Sequence, residues 1–355
     1  MPNSTTHFSK ILILWYIDHK RELPWRLTKD PYAIWLSEII LQQTKVAQGL
    51  PYYNVFVSTF PTIHDLANAP EEKVLKLWQG LGYYSRARNL HFTSKYISKD
   101  LKGIFPTSFK ELLKLKGVGD YTASAIASIC FNEAAAVVDG NVYRVLARFF
   151  GISTPINSTQ GIKEFKSLAQ QLIDSSQPGT FNQAIMEFGA RHCTPKNPDC
   201  TSCIFNDKCV ALQKKTVADL PVKLKKTIVK KWYFNYFIIQ SEGENIILQQ
   251  RTKKGIWQQL YEFPLIETDK EIGLDQLQQL EEYKELSKTH SFSSIRLYNE
   301  KSIIHKLSHR HLHTRFWVVE TKTNSVMEIP LASITKYPVP TLIENFITSY
   351  FDLKV

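Results

Sequence analysis

Residues 115–124 read LKGVGDYTAS, and the fold turns on how this stretch is understood. Lys116 and two glycines, Gly117 and Gly119, make a short basic turn, with Tyr121 two places beyond and small residues after it. Upstream, FKELLKL (109–115) repeats apolar residues at helical spacing, and downstream YTASAIASICF (121–131) does the same. The pattern is helix, glycine turn, helix. Backbone N–H groups at the start of the second helix can meet a phosphate closely there, because glycine has no side chain to block the approach. A plain helix–helix hairpin explains the same ten residues, so the surrounding chain has to decide.

Working outward, helical periodicity runs from 8 to about 192, through FSKILILWYIDH, YAIWLSEIILQQTKV, EEKVLKLWQGL, NVYRVLARFF and FNQAIMEFGARHC. Breaks fall at FPT (60–62), FPTS (105–108) and QPGT (177–180), where a Thr or Ser stands ready to cap the next helix. This part is all-α. From 214 to 231, KKTVADLPVKLKKTIVKK carries seven lysines and one acidic residue and reads as a solvated linker. Alternating, aromatic-rich segments follow (WYFNYFIIQ, ENIILQQR, SIIHKL, TRFWVVE), with one polar helix near 273–287 and another at the C-terminus, so an α+β domain is expected. The expected division is 1–213, a basic linker 214–228, and 229–355.

The 355 residues allow two domains with sizeable cores. A net charge of +11 favours a polyanionic partner, with nucleic acid foremost. The longest apolar run, ILILWYI at 11–17, is far shorter than the roughly 20 residues a bilayer span needs, and no small-residue cleavage site follows it. A protein of the cytoplasm or nucleus, without membrane attachment, is therefore expected. Four of the five cysteines, Cys193, Cys200, Cys203 and Cys209, fall within 17 residues, the wrong distribution for a disulfide framework. Such closely spaced thiolates suit a tetrahedral zinc or an iron–sulfur cluster, and the single Cys-x2-Cys pair favours the cluster. Cys130, in an apolar helix, reads as core packing.

Two carboxylates sit in apolar company. Neighbours in AIWLSEIILQQ would desolvate Glu38 and raise its pKa, as a general acid near neutral pH requires. Asp139, in AAAVVDGNVYRV, precedes a helix and serves equally as a catalytic carboxylate or an N-cap. A pair of this kind is what cleavage through an oxocarbenium-like transition state needs.

Taken together, LPWR (23–26), WLSEIILQQTKV (35–46), WQGLGYYSRARNL (78–90), KGVGDYTA (116–123), VDGNVYRVLAR (138–148) and FNQAIMEFGARHCTP (181–195) resemble the helix–hairpin–helix DNA glycosylases with a four-cysteine loop, and within them the MutY family of adenine glycosylases. The resemblance implies a [4Fe-4S] cluster at the four cysteines, catalysis by Glu38 and Asp139, and removal of adenine opposite 8-oxoguanine or guanine in double-stranded DNA by a monomer. It also implies that Tyr83 wedges into the stack as the base flips, that Gln43 and Thr44 contact the damaged partner base, and that Trp25, Arg26 and Gln183 line the adenine pocket. Asn141 would support the carboxylates, and Lys116, Gly117 and Gly119 would hold the DNA backbone. In the related endonuclease III type, the position of Tyr121 is a lysine that forms a Schiff base. A phenol cannot form an imine, so a monofunctional glycosylase is implied. ENIILQQRTKKGIWQQLYEFP (244–264) resembles the Nudix-like 8-oxoguanine recognition domain of the same family, and HKLSH (305–309) its recognition loop. Ser308 and His309 would read the damage, with Leu307 where the family usually has Phe. EEYKE (281–285) lacks the spacing of a Nudix hydrolase box, so pyrophosphate hydrolysis is not expected.

Overall fold

The computed structural model describes residues 2–224, 229–241, 245–321 and 328–353. Residues 225–228, the end of the expected linker, lie outside these. The chain forms two compact units: 1–68 with 89–225, and 69–88 with 226–355. Segment 69–88 thus groups with the C-terminal unit, although it lies within the span 1–213 expected for the first domain.

The helices up to residue 213 are α1 (Pro2–His19), α2 (Pro31–Leu41), α3 (Val46–Thr59), α4 (Ile63–Asn68), α5 (Glu71–Leu77), α6 (Ser85–Lys99), α7 (Phe109–Leu112), α8 (Asp120–Phe131), α9 (Gly140–Phe150), α10 (Thr159–Leu172), α11 (Pro178–Arg191) and α12 (Val210–Gln213). Local chemistry sets their ends. Asp30 caps α2 by accepting from the N–H groups of Tyr32 and Ala33, with Pro31 at the first helical position. Ser108 and Ser158 cap α7 and α10 in the same way. The stretch 32–46, helical throughout by periodicity, breaks after Leu41, with Gln43 in the left-handed region at φ 55°. The first core joins α1, α9, α10 and α11 through Phe8, Leu12, Val145, Phe165 and Phe188. Phe205, from the cysteine loop, sits against it 4.8 Å from the Phe8 ring and 5.0 Å from Phe149. Each such buried aromatic is worth about 1.5–3 kcal/mol, enough to seat the loop on the helices. Residues 214–224 are no free tether: Arg148 Nε donates to the Leu220 carbonyl at 3.1 Å, and Ile156 N–H donates to that of Val222 at 3.0 Å.

The second unit is α+β, as expected. Its strands are β1 (Lys230–Ser241), β2 (Asn245–Ile247), β3 (Gln249–Gln250), β4 (Tyr261–Glu262), β5 (Leu265–Thr268), β6 (Phe292–Leu297), β7 (Ile303–Leu307), β8 (Arg310–Thr321) and β9 (Glu328–Pro330), with helices α13 (Leu274–Gln278), α14 (Glu281–Thr289) and α15 (Thr341–Phe351). The polar helix expected over 273–287 is two helices, separated at Leu280, which is extended. The main sheet runs β6-β8-β1-β2-β9, with β5 added to β1 and β7 to β8. Its centre is the parallel pair β1–β8, and the other pairings are antiparallel. That position explains the near-continuous apolar run in β1, buried from Phe234 to Ile239. Helices α13 and α14 cover one face through Leu277 and Tyr283, packed against Phe237, Trp317 and Val319.

Candidate active site

In the first unit, one cavity of about 160 Å³ gathers side chains from five parts of the sequence. The Pro24–Arg26 turn gives Trp25 and Arg26, α2 gives Glu38, α8 gives Tyr121, and α11 gives Gln183, Met186 and Glu187. Asp139 and Asn141 enter from the start of α9, and Thr44 from the break after α2. Gln43, its neighbour, is exposed and does not line the cavity.

Glu38 is 6% exposed. Burial pushes its carboxyl up to about 7; a hydrogen bond from Tyr121 and the charge of Arg26 pull it down, while Asp139 pushes it further up. Tyr121 also points its hydroxyl at Met186 Sδ, 3.1 Å away, and burial together with the two carboxylates keeps it a neutral phenol. Asp139 combines the two roles that the sequence presents as alternatives. It is the N-cap of α9, its Oδ1 accepting from the N–H groups of Asn141 at 2.9 Å and Val142 at 2.8 Å, and it also lines the cavity. Asn141 Nδ2 donates to its second oxygen at 2.7 Å. Burial raises the Asp139 pKa, and these hydrogen bonds restrain the rise.

Three further side chains, Glu187, Arg21 and Arg144, take part. Glu187, its side chain 1% exposed, receives Arg21 Nη2 and Arg26 Nη2, each at 2.7 Å. Burial alone would raise its pKa; the hydrogen bonds from Arg21 and Arg26 outweigh it and bring the group to about 2. This clasp aims Arg26, whose Nε reaches Gln183 Oε1 at 3.3 Å. Arg144, on α9, donates to Asn141 Oδ1 at 2.9 Å and to the carbonyl of Cys193 at 2.7 Å, so a continuous run of hydrogen bonds links Asp139 to the cysteine loop. The signal for Glu187 was present: Gln183, Met186, Glu187 and Ala190 follow the i, i+3, i+4, i+7 spacing of one helix face.

The four cysteines surround a second, smaller cavity together with Arg148 and His192. Among the described residues, no three His, Cys, Asp or Glu side chains converge as they would on one ion. Burial, with the neighbouring thiols, pushes Cys200, Cys203 (to about 11) and Cys209 up. Four cysteine sulfurs around one cavity are the kind of donor set an iron–sulfur cluster takes. Arg148 steadies the loop by donating to the carbonyls of Thr194 at 2.7 Å and Pro195 at 3.2 Å.

The turn of residues 116–119 packs on α6. Gly117 has φ 82°, and a Cβ there would lie 2.7 Å from that of Asn89. Thr93 Oγ1 donates to the Lys116 carbonyl at 2.7 Å, and Lys116 Nζ sits 4.2 Å from the Phe92 ring. Around Gly119 there is open space, and no side chain caps α8. The first residue of the helix, Asp120, is ion-paired to Lys166 at 2.5 Å.

In the second unit, Tyr83 and Ser308 meet, hydroxyl to hydroxyl, at 2.5 Å. Tyr83 is 48% exposed and held at φ 47°, an uncommon conformation for a bulky residue. Ser308 and His309 form the exposed two-residue turn between β7 and β8, and Leu307 pairs with Arg310 at its base.

Residues 36–172 match the HhH-GPD superfamily of base excision DNA repair proteins, and residues 235–349 the NUDIX domain family. The adenine DNA glycosylase of Buchnera aphidicola subsp. Schizaphis graminum is 38% identical over 265 residues, 74% of this chain and 75% of its own. The human adenine DNA glycosylase is 46% identical over 218 residues, 59% of this chain and 40% of its own. Among solved structures, a thermostable thymine-DNA glycosylase is 30% identical with a TM-score of 0.56, the match covering 60% of this chain and 98% of that one. An endonuclease III–DNA complex, at 22% identity and a TM-score of 0.53 over 61% of this chain and 98% of that one, shares the fold.

Proposed function

The chain belongs to the adenine DNA glycosylases, base excision repair enzymes that cut a base from its sugar, and from that premise we propose that it removes adenine opposite 8-oxoguanine or guanine by hydrolysis, leaving the strand intact. The observation that carries this reading is the cavity where Glu38, raised to about 7, faces Asp139 with a tyrosine and, among the described residues, no amine lining it. Protonated near neutral pH, Glu38 delivers its proton to N7 of the flipped adenine and so makes the base a leaving group. Asp139, held by Asn141 and the start of α9, stabilises the sugar cation as the bond breaks. Glu38, now ionised, accepts a proton from the attacking water. Trp25, Arg26 and Gln183 grip the base, and the Glu187 clasp keeps Arg26 from swinging into the space it needs. Tyr121 positions the Glu38 carboxyl and offers no nucleophile for an imine, which supports a monofunctional enzyme.

Cys193, Cys200, Cys203 and Cys209 would hold a [4Fe-4S] cluster, which when bound neutralises the thiolates and supplies a centre able to exchange an electron. Lys116 and the Gly117–Gly119 turn seat a backbone phosphate, Tyr83 wedges the duplex, and Ser308 and His309 read the damaged base. Gln43 and Thr44 contact that base from the catalytic unit. One copy contains both the cavity and the reading turn, so a monomer suffices. Five free cysteines and a DNA substrate fit the cytoplasm of a bacterium or a nucleus; among the described residues no helix is long and apolar enough to cross a membrane.

Single-turnover base release from duplexes with A opposite 8-oxoguanine, G or T, before and after alkali, tests the proposal. Release from the first two only, breaks only after alkali, and loss of at least about 100-fold in Glu38→Gln are expected. Strand breaks without alkali, or equal release opposite T, would overturn it.

A further inference from the structure

The second unit carries a row of basic side chains, Lys231, His311 and Lys306, across three strands. Strand β8 lies between β7 and β1, and the register places Lys306 directly opposite His311 on one side and Lys231 on the other. The three side chains therefore point to one face. It is the face that α13 and α14 cover farther along at Trp317 and Val319, but by His313 and His311 the strand is only half-buried, and Lys306 and Lys231 are exposed. Among the described residues none of the three forms an ion pair or a side-chain hydrogen bond with protein, whereas Arg315, two positions beyond His313 on the same face, is matched by Glu271 at 2.6 Å. Two exposed lysines thus flank one histidine across three adjacent strands. Lys306 and His311 also stand one residue outside the Leu307–Arg310 pair that closes the turn bearing Ser308 and His309.

We infer that Lys231, Lys306 and His311 form a phosphate-binding row that grips the backbone of duplex DNA beside the base read by Ser308 and His309. The inference rests on the reading of that turn given above, and adds a sequence-independent hold next to the sequence-reading contact. Two lysines on successive phosphates release about two counterions, which sets the size of the effect.

The test is the salt dependence of binding by the full-length holoenzyme carrying Lys231→Gln and Lys306→Gln together. A control of equal charge, Lys284→Gln with Lys288→Gln on α14, separates the row from net charge alone. Duplexes with 8-oxoguanine opposite A and with T opposite A are titrated across a salt series, and thermal melting checks folding. The slope of log affinity against log salt should fall by roughly 1.5–2 in the row variant on both duplexes, and by much less in the control. The preference for the 8-oxoguanine duplex and the single-turnover rate at saturating enzyme should stay within about twofold. An unchanged slope in a folded variant, or an equal fall in the control, overturns the row. Absence of any 8-oxoguanine preference in the wild type instead overturns the reading of the turn and leaves the slope result interpretable.

Discussion

Glu38 and Glu187 are both buried carboxylates, one raised to about 7 and the other lowered to about 2 by what surrounds them. Single-turnover adenine release should therefore fall as pH rises through about 7 and Glu38 loses its proton. In Glu187→Gln the charges on Arg21 and Arg26 lose their counter-ion, Arg26 pulls Glu38 down further, and this limb should move to lower pH. Rate measurements from pH 5 to 9 separate that shift from a uniform loss, the sign of mere misfolding. Stability follows the same arithmetic. A carboxyl whose folded pKa is raised adds stability below its unfolded value and loses it as pH climbs through the folded one, here between 4.5 and about 7. Glu38 was legible from the sequence because its apolar neighbours are adjacent in the chain. The Glu187 clasp was not, since its partners lie 161 and 166 residues away.

At the scale of elements, α9 and the hairpin show how few residues fix the geometry. Helix α9 is capped by Asp139 and tied to the cysteine loop by Arg144 and Arg148, so one element joins the cavity-lining carboxylate to that loop. Gly189, where a Cβ would stand 2.7 Å from that of Asn141, lets α11 approach it closely. At the hairpin, Gly117→Ala meets both a left-handed backbone and the Asn89 Cβ. It should cost about 1–3 kcal/mol in thermal unfolding and weaken binding to damaged and undamaged duplexes alike. Equal affinity in a folded Gly117→Ala protein would remove the turn from the DNA contact. The hairpin was readable because glycine punctuation is local. The break after Leu41 was not, because nothing in IILQQTKV forbids a continuous helix; tertiary packing supplies it.

On the scale of the whole molecule, each unit has its own core. Calorimetry of the holoenzyme should resolve two transitions, and removing iron should lower only the one belonging to the first unit, where the cysteine loop packs on Phe8 and Phe149. A single transition unmoved by chelation would mean that the loop folds without its centre. The placement of 69–88 in the second unit was hidden in the sequence, since helical periodicity there looks like that of its neighbours, and only long-range bonds such as Tyr84 Oη to the Val339 carbonyl at 3.3 Å reveal it. Through that placement Tyr83 comes to Ser308 although 225 positions separate them. Each hydroxyl occupies the other, and parting them gives up roughly 1 kcal/mol unless new bonds replace theirs. The two side chains thus form a latch: whatever engages one hydroxyl must first release it from the other.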